Sequence, residues 1–205
     1  MVSLLSSGTT AATESLMPLL ILGDSLSAAY GIPIPSSWPR LLATRIRESG
    51  YKYSVVNASI SGETTAGGAR RVELLMAEHA PGVVFIALGA NDGLRGTDPG
   101  ETETNLTAIV GTAKKHGAEV VLMKVRLPPN YGPQYLAAFE AIFERVAGAE
   151  QVALAPFMLE SLASESQAFQ PDGLHPVAEV QPMILDELWP SLKDAMERAQ
   201  RTHVE

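Results

Sequence analysis

The 205 residues of this chain are enough for one domain with a substantial buried core. Its 46% hydrophobic and 19% charged residues exclude an intrinsically disordered chain. The net charge of −8 argues against broad contact with nucleic-acid phosphates, and the absence of cysteine excludes disulfides, thiolate nucleophiles and cysteine-based metal sites.

The chain begins with a segment rich in Ser, Thr and Ala, residues 1–17, which we predict to be an extension ahead of a single domain at residues 18–205. The segment lacks the basic start of a secretory signal, and its apolar run at residues 2–5 is short for an h-region. A clipped signal would make the protein periplasmic or secreted, whereas a native extension or an added remnant would leave it cytoplasmic. No apolar stretch approaches the roughly 18 residues that span a bilayer, so we expect no integral membrane segment.

Five apolar runs alternate with amphipathic stretches along the chain. The runs predict strands at residues 19–22, 53–57, 83–88, 120–125 and 152–155. The spacing of apolar residues predicts helices at about residues 38–49, 65–80, 102–116, 134–147 and 177–198. Nearly continuous apolar strands separated by helices are typical of a parallel sheet covered on both faces. The predicted fold is therefore a three-layer α/β domain around a five-stranded, doubly wound sheet.

A serine follows the first predicted strand directly, in the run Gly23, Asp24, Ser25. Its hydroxyl is expected to stand where a strand stops and a helix begins. Near the other end of the chain, Asp172 precedes His175 by three residues on one loop. A serine nucleophile needs an imidazole to accept its proton, and that imidazole needs a third group to hold its tautomer. We therefore predict Ser25 as nucleophile, His175 as base and Asp172 as the group that orients the base.

Polar residues also follow the second and third predicted strands. Gly62 presents a backbone N–H that no side chain obstructs, and Asn91 offers a side-chain amide. Because the carboxyl ends of parallel strands lie at one edge of a sheet, these groups are expected to converge on Ser25. With the N–H of Ser25 they would form an oxyanion hole of three donors.

These motifs, in this order, resemble those of the SGNH (GDSL) hydrolases. The flanking segments are similar to the bacterial thioesterases, arylesterases and lysophospholipases of that family. They read ILGDSLSAAY (21–30), VVNASISG (55–62), GANDGLRG (89–96), RLPPNYG (126–132) and DGLHP (172–176), and the resemblance spans residues 19–189. It implies a flavodoxin-like strand order, no cofactor, and a carboxylic ester hydrolase that forms an acyl-enzyme on Ser25.

The loops at residues 93–98, 128–133 and 157–171 are expected to shape the substrate pocket. Their apolar side chains favour an acyl chain or an aromatic group. The candidate substrate-binding residues are Asp24, Leu94, Arg126, Leu127, Tyr131 and Phe157. The expected partner is a small-molecule ester or thioester, with no metal and no nucleic acid, and the chain is expected to be a monomer or a small homo-oligomer.

Other interpretations stay open at this point. The same residues serve ester, thioester and activated amide chemistry, and an O-acetyl esterase acting on carbohydrate or another substrate is the main alternative. A non-enzymatic alternative is a flavodoxin-like receiver or binding module with Asp24 and Asp92 as an acidic pocket. That alternative leaves Gly62, Asn91 and the Asp172–His175 pair without a role. Asn91 can also be interpreted as a turn residue ahead of Gly93.

Overall fold

The computed structural model describes residues 15–204, with residues 203 and 204 described by their backbone alone. Residues 1–14, which make up most of the predicted extension, lie outside the described residues. The first strand begins at Met17.

Strands and helices alternate through the described chain. The strands are β1 (Met17–Gly23), β2 (Tyr53–Asn57), β3 (Val83–Ala87), β4 (Glu119–Met123) and β5 (Ala153–Ala155). The helices are α1 (Trp38–Glu48), α2 (Thr65–His79), α3 (Ala90–Leu94), α4 (Pro99–Lys115), α5 (Pro133–Glu150) and α6 (Gln181–Val204). Each of the five predicted strands overlaps an observed one.

The five strands form one parallel sheet in the order β2-β1-β3-β4-β5. This is the flavodoxin-like order, and it confirms the predicted fold class. In the sheet, β2 lies on one side of β1 and β3 lies on the other. The strand order therefore reverses direction at β1, and the topological switch point lies at the carboxyl end of this strand. Ser25 follows β1 at this point.

The sheet is buried between two helical layers. Helices α2, α4 and α5 pack side by side on one face, and α1 packs against α6 on the other. The β1 side chains at Leu19, Leu20, Ile21 and Leu22 are fully buried, as is the centre of β3. A strand with both faces covered explains why the sequence shows continuous apolar runs rather than alternation. Among residues 15–204, no helix is long and apolar enough to cross a membrane.

The expectation of a helix directly after Ser25 was wrong. Residues 25–31 form consecutive turns, in which the N–H groups of Ser27 and Ala28 both donate to the carbonyl of Asp24. Ala29 and Gly31 then adopt left-handed backbone angles, with φ of 62° and 71°, which right-handed helices do not contain. The chain becomes α-helical only at α1.

One short helix, the start of α4 and a 3₁₀ turn also differ from the prediction. The five-residue α3 was not predicted because it is too short to show a helical period. Helix α4 begins at Pro99, earlier than expected, because the Asp98 side chain caps it by accepting a hydrogen bond from the N–H of Gly100. Residues 178–180 form a 3₁₀ turn ahead of α6.

Candidate active site

The Ser25 hydroxyl lies within hydrogen-bond distance of an imidazole that comes from the other end of the chain. The distance from Ser25 Oγ to His175 Nε2 is 2.9 Å. The other ring nitrogen, Nδ1, lies 2.7 Å from Oδ2 of Asp172. An Nδ1–H that donates to the carboxylate leaves Nε2 with a lone pair directed at the serine hydroxyl. The three residues predicted to act together are thus joined in one chain of hydrogen bonds.

The Asp172 carboxylate is held by the loop that also carries the histidine. Its Oδ1 accepts hydrogen bonds from the backbone N–H groups of Leu174 and His175, at 2.9 and 3.0 Å. Gly173 has φ of 69°, a left-handed angle that closes this tight loop. The backbone N–H groups of His175 and Leu174, followed by the imidazole, lower the pKa of Asp172 to about 2. The carboxylate is therefore ionised at neutral pH and can stabilise an imidazolium.

Two residues that the sequence analysis missed support the histidine loop. The ring of Tyr30 lies against the imidazole of His175, with centroids 4.3 Å apart. The side-chain amide of Gln170 donates hydrogen bonds to the backbone carbonyls of Tyr30 and Pro176. The backbone N–H of Gln170 donates to the carbonyl of His175 at 2.7 Å. Gln170 therefore ties the loop after β1 to the loop with the histidine. Tyr30 ends the segment 21–30 quoted above, but no spacing in the sequence links it to Gln170, which lies 140 residues further along the chain.

Asn91 lies in the first turn of α3, directly after β3, and not in a turn ahead of Gly93. Its Nδ2 donates to the carbonyl of Glu63 at 3.0 Å and lies 3.4 Å from Oδ2 of Asp24. Glu63 immediately follows Gly62, whose carbonyl accepts a hydrogen bond from Arg95 at 2.9 Å. The structure thus joins the loops after β1, β2 and β3 through one amide.

Two backbone donors at this edge of the sheet are unoccupied. Within residues 15–204, the N–H groups of Ser25 and Gly62 have no protein hydrogen-bond partner. Gly62 has φ of 79°, an angle that favours glycine. A side chain there would meet Arg95 Nη2 only at 3.7 Å, so the backbone angle and not crowding explains the glycine. Both N–H groups are available to a ligand.

Asp24 is buried, with 2% of its surface exposed. Its Oδ1 accepts from the N–H of Leu26 at 3.0 Å, and its Oδ2 faces Asn91. Burial raises the pKa of Asp24 to about 6, and the Leu26 N–H and the charge of His175 oppose that shift. The contacts make Asp24 a brace between the β1 and β3 loops, and its predicted contact with substrate stays a prediction.

Asp92 is equally buried and braces a helix. Its two carboxylate oxygens accept hydrogen bonds from the N–H and the hydroxyl of Thr65, at 2.9 and 2.6 Å. Thr65 is the first residue of α2. A carboxylate at a helix N-terminus satisfies free N–H groups and complements the helix dipole. No group of three or more metal-ligating side chains occurs within residues 15–204.

The predicted substrate-binding residues lie in separate regions of the structure. Tyr131 donates its hydroxyl to the carbonyl of Leu94 at 2.9 Å, and the side chain of Leu127 fills the space beside Gly93. These residues cover the end of α3, three residues from Asn91. The structure therefore brings Leu94, Leu127 and Tyr131 together around the helix that carries Asn91.

Arg126 and Phe157 line a different cavity from Ser25. That cavity has a volume of about 710 Å³ and runs along α5 and the end of β5. Arg126 is ion-paired there with Glu160, and with Glu140 at 3.8 Å. The cavity beside Ser25 is only about 10 Å³ and is lined by Ser25, Leu26, Ala29, Tyr30, Ile32, His175, Pro176 and Gln181. The larger cavity is lined by neither Ser25 nor His175.

Comparison with known proteins defines the class of this one. The family described as the GDSL-like Lipase/Acylhydrolase family matches residues 21–181, well over half of the chain. The matched region includes Ser25, Asn91 and His175. Together with the α/β fold, this match shows the protein to be a carboxylic ester hydrolase.

Individual relatives agree with that class. Esterase TesA of Pseudomonas aeruginosa is 47% identical over 175 residues, which cover 85% of this chain and 87% of the relative. Thioesterase 1/protease 1/lysophospholipase L1 of Escherichia coli strain K12 is 46% identical over 168 residues, or 82% and 79% of the two chains. The crystal structure of the psychrotrophic esterase EstA from Pseudoalteromonas sp., inhibited by monoethylphosphonate, is similar to this structure with a TM-score of 0.84. The two sequences are 41% identical, and the match covers 86% of this chain and 97% of that chain. The chain belongs to the GDSL-like lipase/acylhydrolase family, whose members include SGNH hydrolases.

Proposed function

We propose that the protein hydrolyses carboxylic esters and thioesters through an acyl-enzyme on Ser25, with His175 as general base and Asp172 as the residue that orients it. One observation carries the proposal. The hydroxyl of Ser25, the two nitrogens of His175 and the carboxylate of Asp172 form a continuous chain at 2.9 and 2.7 Å. In that arrangement the serine can lose its proton as it attacks.

Acylation begins when Ser25 Oγ attacks the carbonyl carbon while His175 Nε2 takes the hydroxyl proton. Asp172 stays ionised and stabilises the imidazolium. The tetrahedral intermediate collapses as the proton passes from Nε2 to the leaving alcohol or thiol. Water then attacks the acyl-enzyme, with His175 again accepting its proton, and releases the acid and the free serine. No cofactor is needed to balance these steps.

Three donors are proposed to stabilise the negative oxygen of the intermediate. The N–H groups of Ser25 and Gly62 have no protein partner among the described residues. One hydrogen of Asn91 Nδ2 is held by Glu63, whereas the other meets Asp24 at 3.4 Å, near the limit of a hydrogen bond. We assign that weakly engaged second hydrogen to the oxyanion. Such donors stabilise charge that exists only in the transition state.

The substrate class comes from the chemistry and from the relatives. An imidazole-activated serine can be acylated by an ester or by a thioester, and similar proteins carry the names esterase and thioesterase. We infer a small acyl ester or thioester as substrate and a monomer or small homo-oligomer as the active form. Rates across p-nitrophenyl esters and acyl-CoAs of increasing chain length would separate this function from an O-acetyl esterase, which would accept acetyl groups alone.

Ser25→Ala tests the proposal directly. Loss of the nucleophile is expected to lower kcat on p-nitrophenyl esters by about 10⁴–10⁶. Ser27→Ala is the matched control, because Ser27 is two residues away and its buried hydroxyl has no partner among the described side chains. The control should keep its activity, and both variants should show a cooperative melt. Retention of more than about a tenth of the activity by folded Ser25→Ala would reject the assignment.

A further inference from the structure

Several large apolar side chains after the strands that lead to Ser25 and His175 are exposed. Seven such residues are at least two-fifths exposed among residues 15–204, and four of them follow strands at the carboxyl edge of the sheet. Tyr30 (50%) and Ile34 (66%) lie in the segment after β1, Ile60 (51%) in the loop after β2, and Leu174 (41%) in the loop that follows β5. These four side chains are called the apolar rim.

The hydrogen bonds and contacts of the apolar rim place it beside the proposed nucleophile. Tyr30 lies against His175, as described above. The N–H of Ile60 donates to the carbonyl of Gly23 at 3.1 Å, two residues before Ser25. The N–H of Leu174 donates to the carboxylate of Asp172. Tyr30, Ile60 and Leu174 therefore lie near the reacting hydroxyl, and Ile34 follows Tyr30 by four residues on the same segment.

The cavity that Ser25 lines is too small to enclose an acyl chain. The cavity at Ser25 is about 10 Å³, whereas a ligand pocket that encloses its ligand is typically ~300–1,000 Å³. A long acyl group esterified to Ser25 would therefore extend beyond this cavity, across the side chains around it. Exposed apolar side chains are the surface that such a group would contact.

We propose that the apolar rim docks on a lipid surface with neutral or zwitterionic headgroups and so delivers acyl esters from that surface to Ser25. This inference rests on the proposed function as an ester hydrolase. The rim side chains carry no charge, and the net charge of −8 disfavours an anionic membrane. Tyrosine suits a lipid–water boundary because its ring is apolar and its hydroxyl is polar.

A second copy of the chain is a poorer occupant of this surface. Each partner in a stable dimer buries about 800 Å². Four partly exposed side chains offer only a few hundred Å², the size of an ordinary functional patch. Such a patch suits weak, reversible contact with a lipid surface, no tighter than the ~10⁴ M⁻¹ of a single myristoyl chain.

The double variant Ile34→Ser/Ile60→Ser tests the docking surface. Neither side chain is part of the hydrogen-bonded chain from Ser25 to Asp172. Leu74→Ser is the matched control, since Leu74 is 68% exposed on α2 and lies about 14 Å along that helix from its start at the carboxyl edge. Co-sedimentation with phosphatidylcholine vesicles at millimolar lipid measures docking, and hydrolysis of soluble p-nitrophenyl acetate measures the chemistry.

The parent and Leu74→Ser should bind the vesicles equally, and the double variant should bind at least about tenfold more weakly. Activity of the double variant on p-nitrophenyl acetate should stay within about twofold. Adding phosphatidylserine to the vesicles should weaken binding by the parent. Equal binding by the parent and the double variant, or no binding by the parent, would overturn the proposal.

Two further outcomes have separate meanings. If sedimentation velocity shows a parent dimer that the double variant loses, the rim is an interface between copies and the docking proposal fails. If the parent binds vesicles but does not hydrolyse p-nitrophenyl acetate, the proposed function fails, and with it the delivery of esters. Vesicle binding by Ser25→Ala should match the parent, because docking does not use the hydroxyl.

Discussion

At the scale of single residues, the Asn91 amide makes one structural hydrogen bond and is assigned one catalytic hydrogen bond. It donates to the carbonyl of Glu63 and so links two loops, and it is proposed to donate to the oxyanion. Asn91→Ala is expected to lower kcat by about 10²–10³ with little change in KM, because an oxyanion donor acts only in the transition state. Steady-state kinetics on a p-nitrophenyl ester measures the loss, and a thermal melt runs beside it.

Asn91→Asp sharpens that test. A carboxylate there would place negative charge next to the developing oxyanion and next to Asp24, and it would donate no hydrogen bond at neutral pH. Its kcat should fall at least as far as that of Asn91→Ala. If Asn91→Ala lowered only the melting temperature and left kcat intact, the amide would be a structural link between loops and nothing more.

The residues of the hydrogen-bonded chain could be predicted because each belongs to a short, recognisable spacing. Asp172 precedes His175 by three residues, and Ser25 directly follows a buried strand. Gln170 could not be predicted, because its contact with Tyr30 joins residues 140 apart and depends on how two loops meet. The placement of Arg126 and Phe157 along a second cavity is likewise set by loop paths that periodicity does not report.

At the scale of elements, α2 packs closely at Gly68 against Leu88, which follows β3, and against Ile109 of α4. A Cβ at Gly68 would come within 2.4 Å of Leu88 Cδ1 and 3.2 Å of Ile109 Cδ1. The absence of a side chain at this position lets α2 approach α4 and the residue that follows β3. The sequence analysis could find the strands and the longer helices from their apolar spacing, but not α3, whose single turn carries Asn91.

Gly68→Ala and Gly111→Ala form a matched pair of substitutions inside helices. Alanine is favoured over glycine in a helix by about 1 kcal/mol, and a Cβ at Gly111 in α4 would meet nothing within 4 Å. Gly111→Ala should therefore raise the free energy of unfolding by about 0.5–1 kcal/mol. Gly68→Ala should lower it by about 1–3 kcal/mol, because the added methyl overpacks the interface. Denaturant melts would test both, and equal stabilisation by the two substitutions would contradict the packing described here.

At the scale of the whole molecule, the buried Asp24 makes stability depend on pH. Burial raises its pKa from 3.8 to about 6. A carboxyl with a raised pKa binds its proton more tightly in the folded state, so its contribution to stability grows as pH falls from about 7 towards 4. Asp172 acts in the opposite sense, since its pKa of about 2 means that stability is lost as pH falls from about 4 towards 2.

Comparison of the parent with Asp24→Asn isolates the first effect. Between pH 7.5 and pH 4.5 the free energy of unfolding of the parent should rise by about 2 kcal/mol relative to the variant, from the change in proton binding. Urea melts at the two pH values would measure the difference. An identical pH dependence in both proteins would show that Asp24 titrates normally and that its burial has no electrostatic consequence.

The most direct measurement for the central proposal is covalent capture of the nucleophile. A phosphonate with a fluoride leaving group should react once per chain, abolish ester hydrolysis in proportion to labelling, and appear by peptide mass spectrometry on Ser25. Ser25→Ala should not be labelled, and Ser27→Ala should be labelled like the parent. A label on another residue, or full activity in fully labelled protein, would contradict the assignment of Ser25 as the serine that carries the acyl group.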